Sequence, residues 1–386
     1  MEREKNKIMI TIKLYDKNNI DELPLIDNYD AKYATSYLVP MVKNGVEKFF
    51  DNVQGEMKIL CIDNEWLLPV FVPKINKTNA YVASIYSHYI SYCFDELGEL
   101  KNPFLQGLAK IILHILGALL KTAQIDKCVF VNNWLLSTNL YTNFPVEYIK
   151  PITEFVAQAH KDYSVAWNSI NNSTTKEIYE EMQTQNYLFV PSRSIYILSQ
   201  FEGFSSVTTC ELRRDKKLLD ESPFHFEKTS YDKDIIKLYN NLYIDKYSHF
   251  NPKFNNEFAK LAGGNELLEY YVLKKGNGEN VASLGYFARQ GIMTTPIVGY
   301  DFSYDKSVGL YRQLSIKLFS EAKENGYILN HSSGVGRFKM KRGAKRHWEY
   351  RVFYTKNINF YRRFIHKLLQ LALNKVGVPM MDKKKL

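Results

Sequence analysis

Residues 268–301 read as three consecutive strands joined by tight turns, and that run limits the folds open to this chain more than any other stretch. Leu268–Lys274 is strand-like and turns at Gly276-Asn277-Gly278-Glu279. Val281–Ala288 follows, turns at Gln290-Gly291, and leads into Ile292–Asp301. Helices are predicted on both sides. Upstream, 231–247 carries Ile235, Ile236, Leu238, Tyr239, Leu242 and Tyr243 as one apolar stripe. The polar elbow 248–252 then starts a second helix ending near Ala262. Downstream, a helix from about Ser307 carries Leu310, Leu314 and Leu318 and closes at Asn325-Gly326, a normal C-terminal signal. A strand at 327–330, a short basic helix, a strand at 349–354 and an amphipathic helix from Phe360 to about Val376 complete an order of α-α-β-β-β-α-β-α-β.

The first half is also α/β but less sharply patterned. Lys58–Ile62 and Trp66–Val72 suggest a hairpin, 103–122 a long helix and 127–131 a strand. A helix after Phe144-Pro145, strands near 164–167 and 194–198, and a helix at 175–184 follow. The weakly patterned, charged segment 203–222 reads as a linker between domains 1–202 and 223–386. A chain of 386 residues with 45% hydrophobic content has material for two real cores.

Several function classes drop out. The four cysteines, Cys61, Cys93, Cys128 and Cys210, are far apart without a Cys-x-x-Cys pair, which argues against a zinc site and for buried reduced thiols. The charged start Met1–Ile8 is not a signal peptide. The longest apolar stretch, Ile111–Leu120, is too short to span a bilayer and reads as a buried helix. A cytoplasmic location is the expectation. The net charge of +10, to which Lys383-Lys384-Lys385 contributes, suits either an ordinary solvated surface or an anionic partner.

The chemistry concentrates in His331–Ala344, where three glycines, four cations and two serines follow an apolar strand. Such a loop suits a phosphate or carboxylate ligand. It is neither a P-loop nor a dinucleotide fingerprint, because the required glycine spacings are missing. His331 can serve as a base, orient an acceptor, or simply be hydrogen-bonded. Ser332 and Ser333 can donate to a carbonyl or cap a helix. Lys339 and Arg342 share a helical face at i, i+3 and are the predicted anion contacts, leaving Arg337 and Lys341 to solvent.

The element order, together with Pro191-Ser192-Arg193, Leu242–Ser248 with Asn251-Pro252, Gly299-Tyr-Asp301, Gly309-Leu-Tyr-Arg312 and the blocks Ser332-Ser-Gly and Phe338-Lys339…Arg342-Gly343, resembles bacterial GNAT-like acyltransferases, relatives of the Fem-type and CelD-like families. The resemblance covers about residues 190–365 by motif and the chain before them by topology. It implies an α/β (α+β) fold of tandem GNAT-like domains, each a mixed, mostly antiparallel sheet flanked by helices.

It also implies an N-acyltransferase. Acyl-CoA or an acyl carrier protein is then the co-substrate, and the acceptor a primary amine such as an amino acid or a lysine or ornithine side chain of a peptide. By this resemblance Val308, Gly309, Leu310, Tyr311 and Arg312 sit where the pyrophosphate binds, and Gly309 lets it approach. Proline at 296 suggests a splayed strand that admits the acyl arm. Asp301 is either a proton acceptor or a turn residue, and Tyr350 a proton donor to the leaving thiolate. Tyr243, Lys246, Tyr300 and Glu349 are placed toward the acceptor. The alternatives are Fem-type chemistry from aminoacyl-tRNA and a non-catalytic basic module for nucleic acid or anionic lipid.

Overall fold

The computed structural model describes residues 10–99 and 102–384; Met1–Ile8 and Lys385 lie outside them. The first half contributes β1 (Ile12–Tyr15), β2 (Gly55–Ile62), β3 (Trp66–Pro73), β4 (Cys128–Val131), β5 (Ser164–Ile170) and β6 (Leu188–Leu198). The second contributes β7 (His225–Thr229), β8 (Glu269–Lys274), β9 (Asn280–Arg289), β10 (Ile292–Tyr300), β11 (Ile328–Asn330) and β12 (Lys345–Tyr354). All twelve join one sheet in the order β1-β2-β3-β4-β5-β12-β6-β11-β10-β9-β8-β7. Only β4–β5 and β10–β11 run parallel; the other neighbours are antiparallel.

This is the expected tandem arrangement with an exchange at its centre. β1–β5 and β7–β11 are laid down outermost first in each half. The last strand of each half then pairs with the fifth strand of the other: β6 with β11, and β12 with β5. The two exchanged strands also pair with each other, from Lys345 opposite Ile197 to Phe353 opposite Leu188. Within this centre β12 buries the charged Glu349 and Arg351 next to Val352 and Phe353.

In the first half the helices are α1 (Tyr29–Asn44), α2 (Tyr92–Glu96), α3 (Pro103–Thr122), α4 (Ile149–Ala159) and α5 (Lys176–Thr184). In the second half they are α6 (Ser206–Asp220), α7 (Lys233–Asn240), α8 (Asn256–Gly264), α9 (Leu310–Glu324), α10 (Gly336–Met340), α11 (Phe360–Ala372) and α12 (Val378–Lys384).

Three expectations change. The segment read as a linker folds as α6, capped by the Ser205 side chain accepting from the Thr208 N–H, and packs on α9. It lacked an apolar signal because its most buried side chain is a charged one, Asp215. The helix expected over 231–247 is α7 followed by a wider π-helical turn, Asn241–Tyr247. Finally, α3 is not a buried helix: only Leu116, Gly117 and Leu120 of its residues are buried.

Helix α7 lies backbone-to-backbone on β10 at Gly299. A Cβ there would stand 2.4 Å from the Leu238 carbonyl carbon and 2.5 Å from the Tyr239 nitrogen. Gly299→Ala should therefore push α7 off the sheet and cost about 1–3 kcal/mol, read as a lower urea midpoint. An unchanged midpoint would mean that α7 yields freely.

Candidate functional site

The parallel ladder between β10 and β11 is short. Ile292, Met293 and Thr294 face Ile328, Leu329 and Asn330, and there the pairing stops. On its other side β10 breaks register against β9 between Thr294 and Ile297, around Pro296. The Thr295 hydroxyl donates within this irregularity, with Gly285 O at 2.9 Å and Ile297 O at 3.1 Å. Proline has no N–H to give the ladder, so the strands part at the position expected from it.

Aromatic side chains cluster around Tyr300 at the end of β10. Tyr239 stacks on Tyr243 with centroids 4.9 Å apart, and Tyr243 meets Tyr247 at 6.0 Å. Tyr300 contacts Phe302 at 5.2 Å and Tyr311 at 6.2 Å, and Tyr311 reaches Phe338 at 5.1 Å. Burial raises the Tyr243 hydroxyl well above its ordinary pKa, and the neighbouring Tyr311, Tyr247, Tyr81 and Tyr300 add to it. Burial likewise raises Tyr239, Tyr300 and Tyr311, so these three and Tyr243 are neutral hydrogen-bonding groups. Lys246 stands at the rim with its ammonium 4.3 Å from the Phe302 ring centre. The sequence-predicted Tyr243, Lys246, Tyr300 and Tyr311 thus share one region.

The loop after β11 forms the next wall. His331 donates its backbone N–H to Tyr196 O at 2.9 Å, and its carbonyl accepts from Lys339 Nζ at 2.8 Å. Lys339 also donates to Ser333 O at 2.6 Å. Burial first, then the Lys339 and Arg342 charges, pulls the His331 imidazole down to about 3, so it is neutral at any physiological pH. Burial, helped by Arg193, pulls Lys339 itself down to about 7. Ser332 and Val335 both take left-handed backbone, with φ of 57° and 43°, which holds this loop in a tight coil.

The loop is tied to the sheet centre through residues from three elements. The Thr138 hydroxyl donates to Ser332 Oγ at 3.3 Å, and Arg193 Nη2 donates to Thr138 Oγ1 at 3.1 Å. Arg193 Nε in turn donates to Glu349 Oε1 at 2.7 Å. Glu349 is 3% exposed, and its Oε2 has no hydrogen-bond partner among the described residues. It lines a cavity of about 20 Å³ with Tyr81, His88, Arg193 and Arg351, space for about one water-sized polar group. Burial, Arg351 and Arg193 keep His88 neutral.

A second space opens beyond α10. This cleft of about 900 Å³ is bounded by α6, the first turn of α9, and α10. Arg214, Arg312, Arg337, Lys341 and Arg342 line it, with Glu211 as the acidic member. Beneath it Asp215 accepts from Arg312 Nε at 2.6 Å and Arg342 Nε at 2.5 Å.

Several predicted positions take other roles. Lys339 and Arg342 are buried and engaged with carbonyl oxygens and with Asp215, whereas Arg337 and Lys341 are exposed on the cleft. The i, i+3 relation held, but that face points inward. Asp301 takes the turn role, its carboxylate accepting from Ser303 N at 2.8 Å.

Tyr350 lies opposite Pro191, five residues of β6 from the Tyr196 that meets His331, or roughly 16 Å along the strand. Its ring packs with Phe189 and Tyr179, so Asp301, His331 and Tyr350 do not form a single triad. Gly309 has φ of 62°, and a Cβ there would meet Leu218 Cδ2 at 2.7 Å. The close approach that glycine allows is therefore to α6. Val308, Leu310 and Tyr311 surround that turn, with Leu310 buried.

Tyr81, Thr138, Arg214 and Asp215 went unread because nothing in their local pattern marks them. Arg193 had a signal in the block Pro191-Ser192-Arg193.

No family model matches the chain, and no curated protein matches it. Among solved structures it is similar to L-PGS from Bacillus licheniformis, with 18% identity over 63% of this chain and 83% of that one, at a TM-score of 0.45. It is similar to FemX, with 8% identity over 55% of this chain and 77% of that one, at 0.42. It is also similar to a tandem GNAT protein from the clavulanic acid biosynthesis pathway, with 7% identity over 89% and 98%, at 0.39. At such identities the chemistry has to be argued from the residues of this chain.

Proposed function

We propose that the protein is an acyltransferase that moves an acyl group from a phosphate-bearing thioester, acyl-CoA or an acyl carrier protein, to a primary amine. The observation that carries this reading is the parting of β10 from β11 beside a cation-lined cleft. A slot between splayed strands takes an extended acyl-pantetheine arm, and the aromatic walls suit an apolar acyl chain. Arg214, Arg312, Arg337 and Lys341 at the cleft supply charge for the donor's phosphates.

The acceptor's cationic end goes to Glu349, whose free Oε2 faces a cavity sized for one small polar group. In the reaction the amine nitrogen bonds to the thioester carbonyl carbon and the C–S bond breaks. The amine loses a proton and the departing thiolate gains one. The enzyme's contribution is positioning and stabilisation of the carbonyl oxygen rather than a covalent intermediate.

Native mass spectrometry and thermal shift with acyl-CoA of graded chain length test this directly. Stabilisation that grows with acyl length is expected. If neither CoA nor any acyl-CoA stabilises the protein at millimolar concentration, the CoA donor is excluded. The double variant Arg337→Ala/Lys341→Ala should raise donor KM on the order of tenfold or more, from the loss of two charged contacts. An unaltered KM would remove the cleft from the donor site.

The second reading, an aminoacyl-tRNA donor, is favoured by the volume and cationic lining of the cleft. It predicts binding that weakens steeply with salt, with a shallower slope in the same double variant.

A further inference from the structure

Helix α3 is apolar on the side that faces away from the protein. Phe104, Leu108, Ile111 and Ile115 recur at i, i+4, i+7 and i+11 and form an outward stripe, with Phe104 78% exposed. Leu105 is exposed beside them, while Lys110, His114 and Lys121 occupy a separate strip of the helix. Helix α11 repeats the arrangement with Phe360, 80% exposed, Phe364 and Leu371. The two helices meet where the Tyr361 hydroxyl lies 2.6 Å from Thr122 Oγ1. Most of the exposed large apolar side chains of the described residues belong to these two helices.

The charge carried by the two helices has one sign. Residues 102–122 and 356–381 contain no aspartate or glutamate. They carry Lys110, Lys121, Lys356, Arg363, Lys367 and Lys375 around the apolar stripes, in addition to the buried Arg362. The next acid, Asp382, is engaged by Arg346 at 2.5 Å. An apolar centre on two helices whose own charges are all cationic matches a bilayer whose headgroups are negative.

By length and composition α3 would suit a membrane span. Its attachments place it along the surface instead. Leu116 and Leu120 are buried in the protein core, and Gly117 lies against Tyr86 and Ile90. The chain just beyond its end is held by Arg362, which donates to Ala123 O at 2.9 Å. Lys110 sits near the middle of the helix.

From these observations we infer that the α3–α11 face docks flat on an anionic lipid bilayer, with Phe104, Leu108, Ile111, Ile115, Phe360 and Phe364 entering the headgroup–acyl boundary. The cationic side chains contact lipid phosphates. This inference stands apart from the acyltransferase reading, since the cleft and the splay use different elements.

The test is co-sedimentation of the whole chain with extruded vesicles of phosphatidylglycerol mixed with phosphatidylcholine, or of phosphatidylcholine alone. Binding to the anionic vesicles should be tighter by about tenfold or more and weaken with salt. Leu108→Asp/Ile111→Asp should abolish it, with circular dichroism and CoA-dependent thermal shift unchanged, because both positions face solvent. Three outcomes overturn the inference: no pelleting with anionic vesicles, equal pelleting with neutral ones, or full binding by the double variant. A parent dimer in light scattering that the same variant dissolves also overturns it, and makes a second copy the occupant.

Discussion

Asp215→Asn is expected to destabilise the protein by about 3–5 kcal/mol, a loss visible as a fall of several degrees in Tm. The carboxylate is fully buried and holds two guanidinium groups, Arg312 at 2.6 Å and Arg342 at 2.5 Å. It joins α6 to the first turn of α9 and to the chain after α10. Asparagine keeps the side-chain shape but removes the negative charge, so the effect measures an uncompensated charge rather than a cavity. Arg342 is itself buried, and among the described residues only Glu211 at 3.6 Å is a further acidic neighbour. Asp220→Asn on the same helix is the control. Its pair with Lys216, at 3.4 Å, is exposed, and its loss should cost less than about 0.5 kcal/mol. Equal effects at the two positions would refute the role assigned to Asp215. In the Asp215 variant donor binding should weaken as well, since the walls of the cleft are no longer fixed to each other.

Glu349→Gln should lower acceptor kcat/KM by about a hundredfold or more while donor affinity, read by CoA-dependent thermal shift, stays within a few-fold. Glutamine can retain the acceptor oxygen for Arg193 Nε, and Arg193 keeps its bonds to Ser137 O and Thr138 Oγ1. What changes is Oε2, replaced by an NH₂ that repels an ammonium. A purely structural role for Glu349 would lower Tm and expression without separating acceptor from donor kinetics. Loss of donor affinity in step with acceptor affinity would therefore remove Glu349 from the acceptor site.

The second half was legible because its strands alternate and its turns carry Gly and Asn. β8, β9 and β10 fall close to their expected bounds. The exception, β7, is an edge strand whose residues are at most half-buried, so no apolar alternation announces it. In the first half β2, β3, β4 and β5 were found from their dense apolar runs. Pro296 correctly marked where β10 leaves its partner.

The site was less legible than the fold. Spacing placed Lys339 and Arg342 together, yet periodicity carries no information on which face of a short helix is covered. Here Tyr196, the 331–333 loop and Asp215 take up those two cations. Arg337 and Lys341 were left for the cleft. Helix α3 shows the same limit in reverse: an apolar stretch reads as buried, but among the described residues no second layer covers its outer face.

Local sequence therefore determined the elements, their order, the splay at Pro296 and the basic loop from His331 to Ala344, because dihedral preference and hydrophobic period act over a few residues. Tertiary structure alone decided the exchange of β6 and β12, the join of Glu349, Arg193, Thr138 and Ser332, and the sharing of Asp215 by two arginines. Each of those depends on residues from distant parts of the chain, and burial and charge pairing between them are set only once the strands have taken their places.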